Sequence, residues 1–235
     1  MEITTEARIL VTGAGGGIAD SVVTVFAEAG ARLALADLSL DMVTDRARAH
    51  DAVALEADLT DPAAATRMVA DARARLKGLD GLIHTAGGFA TAPAEATGPE
   101  LYDRLFDLNV RTLVVTTAAV LPVLLEQRRG FVAGFSAAPG WHRGGGAGMS
   151  VYAAAKAAVA AFLHAVGEET GDRGLTTAVV YPMGVVETDG NREAMPDADR
   201  SEWIDPVEIA RSLLVALVSG PRGRLTELPI FPAPR

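Results

Sequence analysis

The chain has 235 residues, 49% of them hydrophobic, with a formal net charge of −9 and no cysteine. This composition is sufficient to bury a sizeable core. The absence of cysteine excludes disulfides, thiol catalysis and thiolate metal sites. The acidic balance, with no basic stripe, disfavours nucleic-acid binding.

Three further classes of feature are not expected. The four histidines, at 50, 84, 142 and 164, show no metal-ligand spacing, so we expect no metal site. The amino-terminal stretch "MEITTEARILV" lacks the basic region and long apolar segment of a secretory signal. No run of about 18 uninterrupted apolar residues occurs, so we expect no membrane span. These observations predict a cytoplasmic protein.

Short apolar runs alternate with helical patterns along the chain. Seven runs are typical of strands: 8–12, 32–36, 52–57, 81–85, 130–136, 176–182 and 224–231. Five helices are predicted between them: 18–29, 61–76, 99–127, 149–170 and 206 to about 219. Near-continuous apolar strands are typical of a parallel sheet covered on both faces. The alternation predicts an α/β fold, a doubly wound parallel sheet (Rossmann fold), with one domain over 1–235.

The stretch "VTGAGGGIAD" (11–20) follows the first predicted strand and opens the first predicted helix. A helix amino terminus offers unpaired N–H groups to a phosphate, and glycine permits close approach. The spacing fits T-G-x-x-x-G-x-A, carried by Thr12, Gly13, Gly17 and the small packing residue Ala19, rather than G-x-G-x-x-G. It predicts a seat for a dinucleotide pyrophosphate. Asp20 suits the helix dipole but lies near that anion, so we expect it to point away.

Asp37 directly follows the second predicted strand, 24 residues beyond Gly13. An acid at this place can accept hydrogen bonds from ribose hydroxyls and would repel a 2′-phosphate. Positions 14–16 and 38–39 carry no Arg or Lys to pair with such a phosphate. The sequence therefore favours NAD over NADP. The alternative role of Asp37 is to cap the amino terminus of a helix. Asp58, after the third strand, could reach the adenine amino group or could be a simple turn acid.

Tyr152 and Lys156 lie at i, i+4 in "SVYAAAK" and so share one helix face. Tyrosine, with a pKa near 10, is a poor base, and a nearby ammonium lowers that pKa by favouring the phenolate. Such a pair can exchange a proton with a substrate oxygen while a hydride moves. Alone, however, the Y-x-x-x-K pattern is common in helices.

In combination with residues elsewhere, this pair makes the chain resemble the short-chain dehydrogenase/reductase family over essentially its whole length. The similarity is carried, in the family's order, by Thr12-Gly13…Gly17, Asp58-Leu59, Ala86-Gly87, Asn109, Ser136, Tyr152…Lys156 and Pro182…Thr188. The length matches the family's single-domain branch and not the extended branch with its added substrate domain.

The resemblance implies roles for four residues. Tyr152 is the expected acid/base, and Lys156 is expected to lower its pKa and to bind the nicotinamide ribose. Ser136 would hold the substrate oxygen and Asn109 would anchor a relay water, although Ser136 could merely bond backbone and Asn109 could cap a kink. NAD contacts are expected at Gly13, Gly16, Gly17, Ile18, Asp37, Leu38, Asp58, Leu59, Ala86, Gly87, Tyr152, Lys156, Pro182, Val186 and Thr188.

The chain departs from the family pattern after the fourth strand and before the substrate region. "HTAGG" (84–88) stands where N-N-A-G is usual, and we expect His84 to be a core histidine rather than a ligand. Thr85 replaces an asparagine that braces the sheet. In "YPMGVVETDG" (181–190), Val185 or Val186 could meet the carboxamide, and alignment on Thr188 favours Val186.

The substrate cleft is expected between loops 137–149 and 183–203. The first loop holds five glycines in "AAPGWHRGGGAGM", which indicates mobility. Trp141, His142 and Met183 are the candidate substrate contacts. Ser150, just beyond the loop, suits a helix N-cap.

The predicted function is NAD-dependent hydride transfer between nicotinamide and an alcohol or ketone. A dihydropteridine-type reductase is the alternative, because 187–203 and "AGGF" (86–89) are similar to quinonoid dihydropteridine reductases. Ser136 favours carbonyl or alcohol chemistry, since those reductases typically lack the serine. A non-catalytic dinucleotide-sensing protein is the alternative of another class.

The helix predicted over 149–170 is apolar nearly all round, whereas a surface helix should show one polar face. We therefore expect a homotetramer, or a homodimer, through the helices at 99–127 and 149–170. Simple alanine helix propensity is the alternative explanation.

Overall fold

Seven strands form one parallel sheet in the computed structural model, which describes residues 3–141 and 146–234. They are β1 (Arg8–Thr12), β2 (Arg32–Asp37), β3 (Val53–Glu56), β4 (Gly81–His84), β5 (Gly130–Phe135), β6 (Leu175–Pro182) and β7 (Glu227–Ile230). The strand order is β3-β2-β1-β4-β5-β6-β7. The predicted doubly wound parallel sheet is confirmed, and the strands that the sequence pattern predicted are all present.

Eight α-helices connect the strands of the described chain. They are α1 (Gly17–Glu28), α2 (Thr44–Ala49), α3 (Pro62–Leu76), α4 (Pro99–Phe106), α5 (Thr112–Glu126), α6 (Ser150–Thr170), α7 (Asp189–Ala194) and α8 (Pro206–Val218). The short helices α2 and α7 were not predicted, because six residues are too few to show a helical period. The predicted helix 99–127 is divided by a π-helical turn, Asp107–Arg111, between α4 and α5.

Two of the helices begin as their sequence indicates, and one does not. Asp61 caps α3 by accepting a hydrogen bond from Ala63 N, and Asp205 caps α8 in the same way from Val207 N. In both helices proline follows at the first position, where no N–H partner is lost. The N-cap expectation for Ser150 is wrong, because Ser150 is the first helical residue of α6 and makes no capping bond.

Alternating strand residues build a separate core on each face of the sheet. Ile9 and Val11 of β1 pack with α1 and α8, whereas Leu10 packs with α3, α5 and α6. Both faces are therefore apolar, which explains the continuous apolar runs of the strands.

The chain reverses its winding direction beside β1, which pairs with β2 on one side and with β4 on the other. Thr12, the last residue of β1, lies in register with Ala36 and with His84. In open sheets of this kind, ligands bind outside the carboxyl ends of the strands where the winding reverses. The carboxyl ends of β1, β2 and β4 are therefore the place to look for a site.

Two helical stretches, Pro99–Glu126 and Ser150–Arg173, are long and apolar enough to cross a membrane by length and composition alone. The prediction of no membrane span considered only uninterrupted apolar runs and therefore missed these two stretches. Both lie along one face of the sheet and supply core side chains such as Leu113 and Leu163. A core helix satisfies the same length and composition test, so the two stretches are weak evidence for a membrane span.

Candidate functional site

The glycine-rich turn between β1 and α1 leaves no room for side chains where it approaches β4. Gly13 has a φ of +71°, and a Cβ placed there would lie 2.4 Å from Ala86 N. The turn closes through Gly16 N–H donating to Gly13 O at 3.0 Å. Gly16 precedes α1 and offers no side-chain cap, so the first N–H groups of the helix are left without a capping partner. This is a backbone cradle suited to an anion.

The turn also lies against the segment that follows β6. A Cβ on Gly17 would lie 2.7 Å from Thr188 Cβ, so these two residues, both expected at the cofactor, are neighbours. Thr188 caps α7 by accepting from Asn191 N at 3.3 Å. The start of α1 and the start of α7 are therefore in contact beside the predicted pyrophosphate site.

Asp37 turns its carboxylate toward the glycine turn. Its Oδ2 accepts from Gly15 N at 2.8 Å, and its Oδ1 accepts from Leu38 N at 2.7 Å. The alternative role as a helix cap is wrong, because Ser39 precedes the short helical turn that follows. The acid at the end of β2 therefore lies directly at the seat formed by the turn.

The crowded residue among the middle glycines is Gly15, which was not among the expected contacts. A Cβ on Gly15 would meet Met42 Cβ at 3.0 Å and Asp37 Oδ2 at 3.1 Å, whereas one on Gly16 would meet only Gly13 O, at 3.2 Å. No local pattern could have indicated this crowding, since nothing in the chain order shows that Met42 packs against Gly15.

Asp58 and Leu59 lie just beyond β3, at the same edge of the sheet. Asp58 Oδ1 accepts from Thr60 N at 2.8 Å and from Thr60 Oγ1 at 2.7 Å. These hydrogen bonds hold the pKa of Asp58 below its usual value. Leu59 is buried in the core. Asp58 is therefore a turn acid in this structure, with its second oxygen making no bond within the turn.

His84 is buried and hydrogen-bonded on both sides, as expected for a core histidine. Its Nδ1 lies 2.8 Å from Thr12 Oγ1 and its Nε2 lies 3.2 Å from Thr112 Oγ1. Burial, with the charge of Lys156 as a second cause, lowers the pKa of His84 to about 3. The ring is therefore neutral at physiological pH.

Thr85 performs the bracing that was expected of an asparagine. Its Oγ1 donates to Thr12 O at 2.9 Å and to Gly13 O at 3.0 Å, and its N–H also donates to Thr12 O. The end of β4 is thereby fixed to the start of the glycine turn.

Asn109 lies within the π-helical turn between α4 and α5, and it is 1% exposed. Its Nδ2 donates to Gly88 O at 3.0 Å and to Leu105 O at 2.9 Å, while its Oδ1 accepts from Gly88 N at 3.2 Å. The side chain therefore fastens the turn after β4 to the helix. π-turns of this kind are frequent at functional sites.

Lys156 and Tyr152 lie on one face of α6, beside this turn. A Cβ on Gly87 would meet Asn109 Oδ1 at 2.8 Å and Lys156 Nζ at 3.3 Å, so both groups point at the same glycine. Lys156 Nζ donates to Phe135 O at 2.9 Å and lies 5.8 Å from the centre of the Tyr152 ring. The structure thus brings Asn109 and Lys156 together at Gly87, with Tyr152 beside the lysine.

The expected lowering of the Tyr152 pKa by Lys156 is wrong for this structure. Burial raises the pKa of Tyr152 to about 12, and burial lowers the pKa of Lys156 to about 8. The lysine ammonium is directed at the Phe135 carbonyl, and desolvation is the cause of the shift at Tyr152. Tyr152 is accordingly a neutral phenol at physiological pH.

Ser136 follows β5 and is 2% exposed. Its Oγ donates to Lys156 O at 2.7 Å. In this rotamer the serine bonds backbone, which was the alternative to its expected role at the substrate oxygen.

The expected substrate contacts lie partly outside this cluster. Trp141 packs edge-on against Tyr181, with ring centres 4.3 Å apart. Met183 packs against the hydrophobic core cluster that contains Tyr181. His142 lies outside the described residues. Phe89, which was not predicted, is 57% exposed and packs edge-on against Tyr152, with ring centres 4.9 Å apart. Its place in "AGGF", directly after the β4 turn, is the signal that could have indicated it.

Val186 follows β6 and Pro182, and its side chain is 6% exposed. It forms a bridge with Ile204, and its carbonyl accepts from Asn191 Nδ2 at 2.8 Å. The Val185 side chain is 37% exposed. Val186 is therefore buried, with its carbonyl engaged by Asn191 and by Thr188 N, whereas Val185 is the more exposed of the two valines.

Comparisons with known proteins agree with this geometry. A family model described as short chain dehydrogenase matches residues 7–199. An uncharacterized oxidoreductase of Staphylococcus aureus is 28% identical over 99% of this chain and 100% of that protein. A solved short chain dehydrogenase from Burkholderia cenocepacia, in complex with NADP, is 26% identical over 98% of each chain, with a TM-score of 0.85. A 3-ketoacyl-(acyl-carrier-protein) reductase from Brucella melitensis, complexed with NADH, shares the fold at 21% identity over 96% of each chain, with a TM-score of 0.84.

Proposed function

The chain belongs to the short-chain dehydrogenase family, and from that premise we propose that it is an NAD(H)-dependent oxidoreductase acting on a small-molecule alcohol or ketone. The observation that carries the proposal is the convergence of Asn109 Oδ1 and Lys156 Nζ on Gly87, with Tyr152 on the same helix face as the lysine. This cluster lies after β4, beside the strand where the winding reverses.

The residues at the glycine turn fit a dinucleotide. The uncapped start of α1 and the cradle at Gly13 suit a diphosphate, and the Asp37 carboxylate suits ribose hydroxyls. Gly17 and Thr188, which lie in contact with one another, would both border the diphosphate. When bound, the nicotinamide supplies hydride transfer, which none of the chain's own side chains can perform.

The acid/base step follows from the protonation states of Tyr152 and Lys156. With its pKa raised to about 12, Tyr152 holds its proton at pH 7 and can donate it to the oxygen of a carbonyl that is being reduced. Lys156, with a pKa of about 8, is mostly an ammonium at that pH and keeps a positive charge 5.8 Å from the centre of the Tyr152 ring, which favours negative charge that develops near the phenol. Ser136 reaches a substrate oxygen only after its hydroxyl leaves Lys156 O.

Cofactor preference is proposed to favour NAD over NADP, on the position of Asp37. A 2′-phosphate at the ribose would lie against the Asp37 carboxylate, which already accepts two backbone hydrogen bonds. Fluorescence titrations with NADH and NADPH test this preference. Tighter binding of NADH is expected, and equal or reversed affinities would refute it.

Activity is tested with a panel of ketones, 3-oxo esters, sugars and quinonoid dihydropterin, monitored by NADH absorbance. We expect turnover with a ketone or oxo ester. Turnover confined to the dihydropterin would instead support the dihydropteridine-type reductase, to which 187–203 is similar. NADH binding without turnover of any panel member would favour the dinucleotide-sensing alternative. That alternative leaves the cluster of Asn109 and Lys156 at Gly87 unexplained, because a sensor needs no acid/base residues.

Two exposed apolar stripes support a homo-oligomer, which we propose to be a homotetramer. Val114, Ala118 and Pro122 form the exposed stripe of α5, and the exposed stripe of α6 consists of Ala154, Ala157, Ala161 and Ala165. Water contact along these faces is removed if the same helices of a second subunit cover them. Light scattering should give four times the 24.4 kDa chain mass. A dimer would contradict only the proposed tetrameric state, whereas a monomer would also contradict the proposed interface through α5 and α6.

A further inference from the structure

Arg46 of α2 reaches across to the glycine-rich turn, 30 residues or more away in sequence. Its Nη1 donates to Ala14 O and, at 3.1 Å, to Gly16 O. Its Nε lies 3.1 Å from Asp20 Oδ1, and its side chain is 19% exposed. Because Asp20 belongs to the first turn of α1, one guanidinium connects α2, the turn and the helix.

These bonds fix the orientation of two peptide planes. In a trans peptide the C=O and the following N–H point in opposite directions. The peptide between Ala14 and Gly15 is held at both ends, by Arg46 at its carbonyl and by Asp37 at its N–H. The peptide between Gly16 and Gly17 is held by Arg46 at its carbonyl, so the Gly17 N–H faces away from the guanidinium. Gly17 is the first residue of α1, where the N–H has no partner inside the helix.

We propose that Arg46 is a positioning residue for the cofactor diphosphate, which it affects by orienting the Gly17 N–H without itself being an anion ligand. The inference rests on the proposed function. A preorganised donor stabilises an anion without first losing conformational freedom. The same contact accounts for Asp20, whose carboxylate is paired with Arg46 as expected for an acid that must avoid a nearby anion.

The test compares two probes that differ in the diphosphate. ADP-ribose carries the diphosphate, whereas adenosine carries only the base and ribose, and both are measured by isothermal titration calorimetry. Arg46→Gln should weaken ADP-ribose binding about tenfold, which corresponds to the lower end of the free energy contributed by a hydrogen bond to a charged group. The adenosine affinity of the same variant should stay within about twofold of the wild-type value. Arg46→Lys should weaken ADP-ribose by a smaller factor, since an ammonium keeps the charge but loses the planar fork.

Arg48→Gln is the matched control on the same helix. The Arg48 side chain is 76% exposed and pairs with Asp45, so both affinities should stay at the wild-type values. Unchanged ADP-ribose affinity in Arg46→Gln, or an equal loss for adenosine, would overturn the role of Arg46. If Arg46→Gln does not fold, unchanged ADP-ribose affinity in Arg46→Lys would overturn it. Failure of the wild-type protein to bind ADP-ribose would overturn the proposed function itself.

Discussion

Acidification should destabilise this protein through one buried histidine. His84 lies between Thr12 and Thr112 with hydrogen bonds on both ring nitrogens, and burial lowers its pKa to about 3. In the unfolded chain its pKa returns to about 6.5. Between these values the unfolded state binds more protons than the folded state, so the stability contributed by neutral His84 is present above pH 6.5 and is lost as the pH falls.

The magnitude follows from the width of that window. Each pH unit below the unfolded pKa costs about 1.4 kcal/mol for a single group that stays neutral in the folded state. Lowering the pH from 6.5 to 5 should therefore remove about 2 kcal/mol of unfolding free energy through His84 alone. Carboxylates whose pKa values are held low, such as Asp58 and Asp80, act at lower pH and do not share this range.

Urea unfolding at pH 7.5 and at pH 5 measures the effect. Wild type and His84→Asn are compared with His50→Asn, which changes a histidine at the end of α2 and leaves His84 in place. The loss of stability on acidification should be smaller in His84→Asn by about 2 kcal/mol and unchanged in His50→Asn. If His84→Asn loses as much stability on acidification as wild type does, whatever its stability at pH 7.5, then His84 is not the cause of the loss.

Three substitutions test the site itself. Gly87→Ala would place a methyl group 2.8 Å from Asn109 Oδ1 and 3.3 Å from Lys156 Nζ, and should lower kcat at least about tenfold; unchanged kcat would show that their arrangement is not critical. Asp37→Asn should weaken NADH and strengthen NADPH in fluorescence titrations, and parallel changes for both would contradict the assigned role. Phe89→Ala removes an exposed ring beside the tyrosine, so the KM of an apolar ketone should rise more than kcat falls; an unchanged KM would remove Phe89 from the substrate site.

The sheet could be predicted from sequence because its signals are local. Each strand is a short apolar run, and Asp61-Pro62 and Asp205-Pro206 mark the helix starts that the structure shows. The π-turn at Asn109 interrupts a helix whose apolar pattern continues through it, so the pattern predicted one uninterrupted helix. The short helix α2 has too few residues to show a period.

The site could be located from sequence, but its contacts could not. Spacing indicated Gly13, Asp37, Tyr152 and Lys156, since these carry motif positions. The links from Arg46 to the turn and from Phe89 to Tyr152 depend on how distant segments pack, which no local pattern records. The protonation of Tyr152 could not be predicted either. The i, i+4 spacing gives a shared face, but not the direction of the ammonium or the degree of desolvation.

Tyr152 is proposed to be the acid/base of a nicotinamide-dependent oxidoreductase. This role is tested most directly by the NADH-dependent turnover of Tyr152→Phe with the best ketone of the panel. Tyr102→Phe, a change at a 49% exposed tyrosine of α4, is the matched control. We expect Tyr152→Phe to have a kcat at least about 100-fold lower, with an NADH affinity within about twofold of wild type, and the control to keep wild-type activity. Wild-type kcat in Tyr152→Phe would contradict this role.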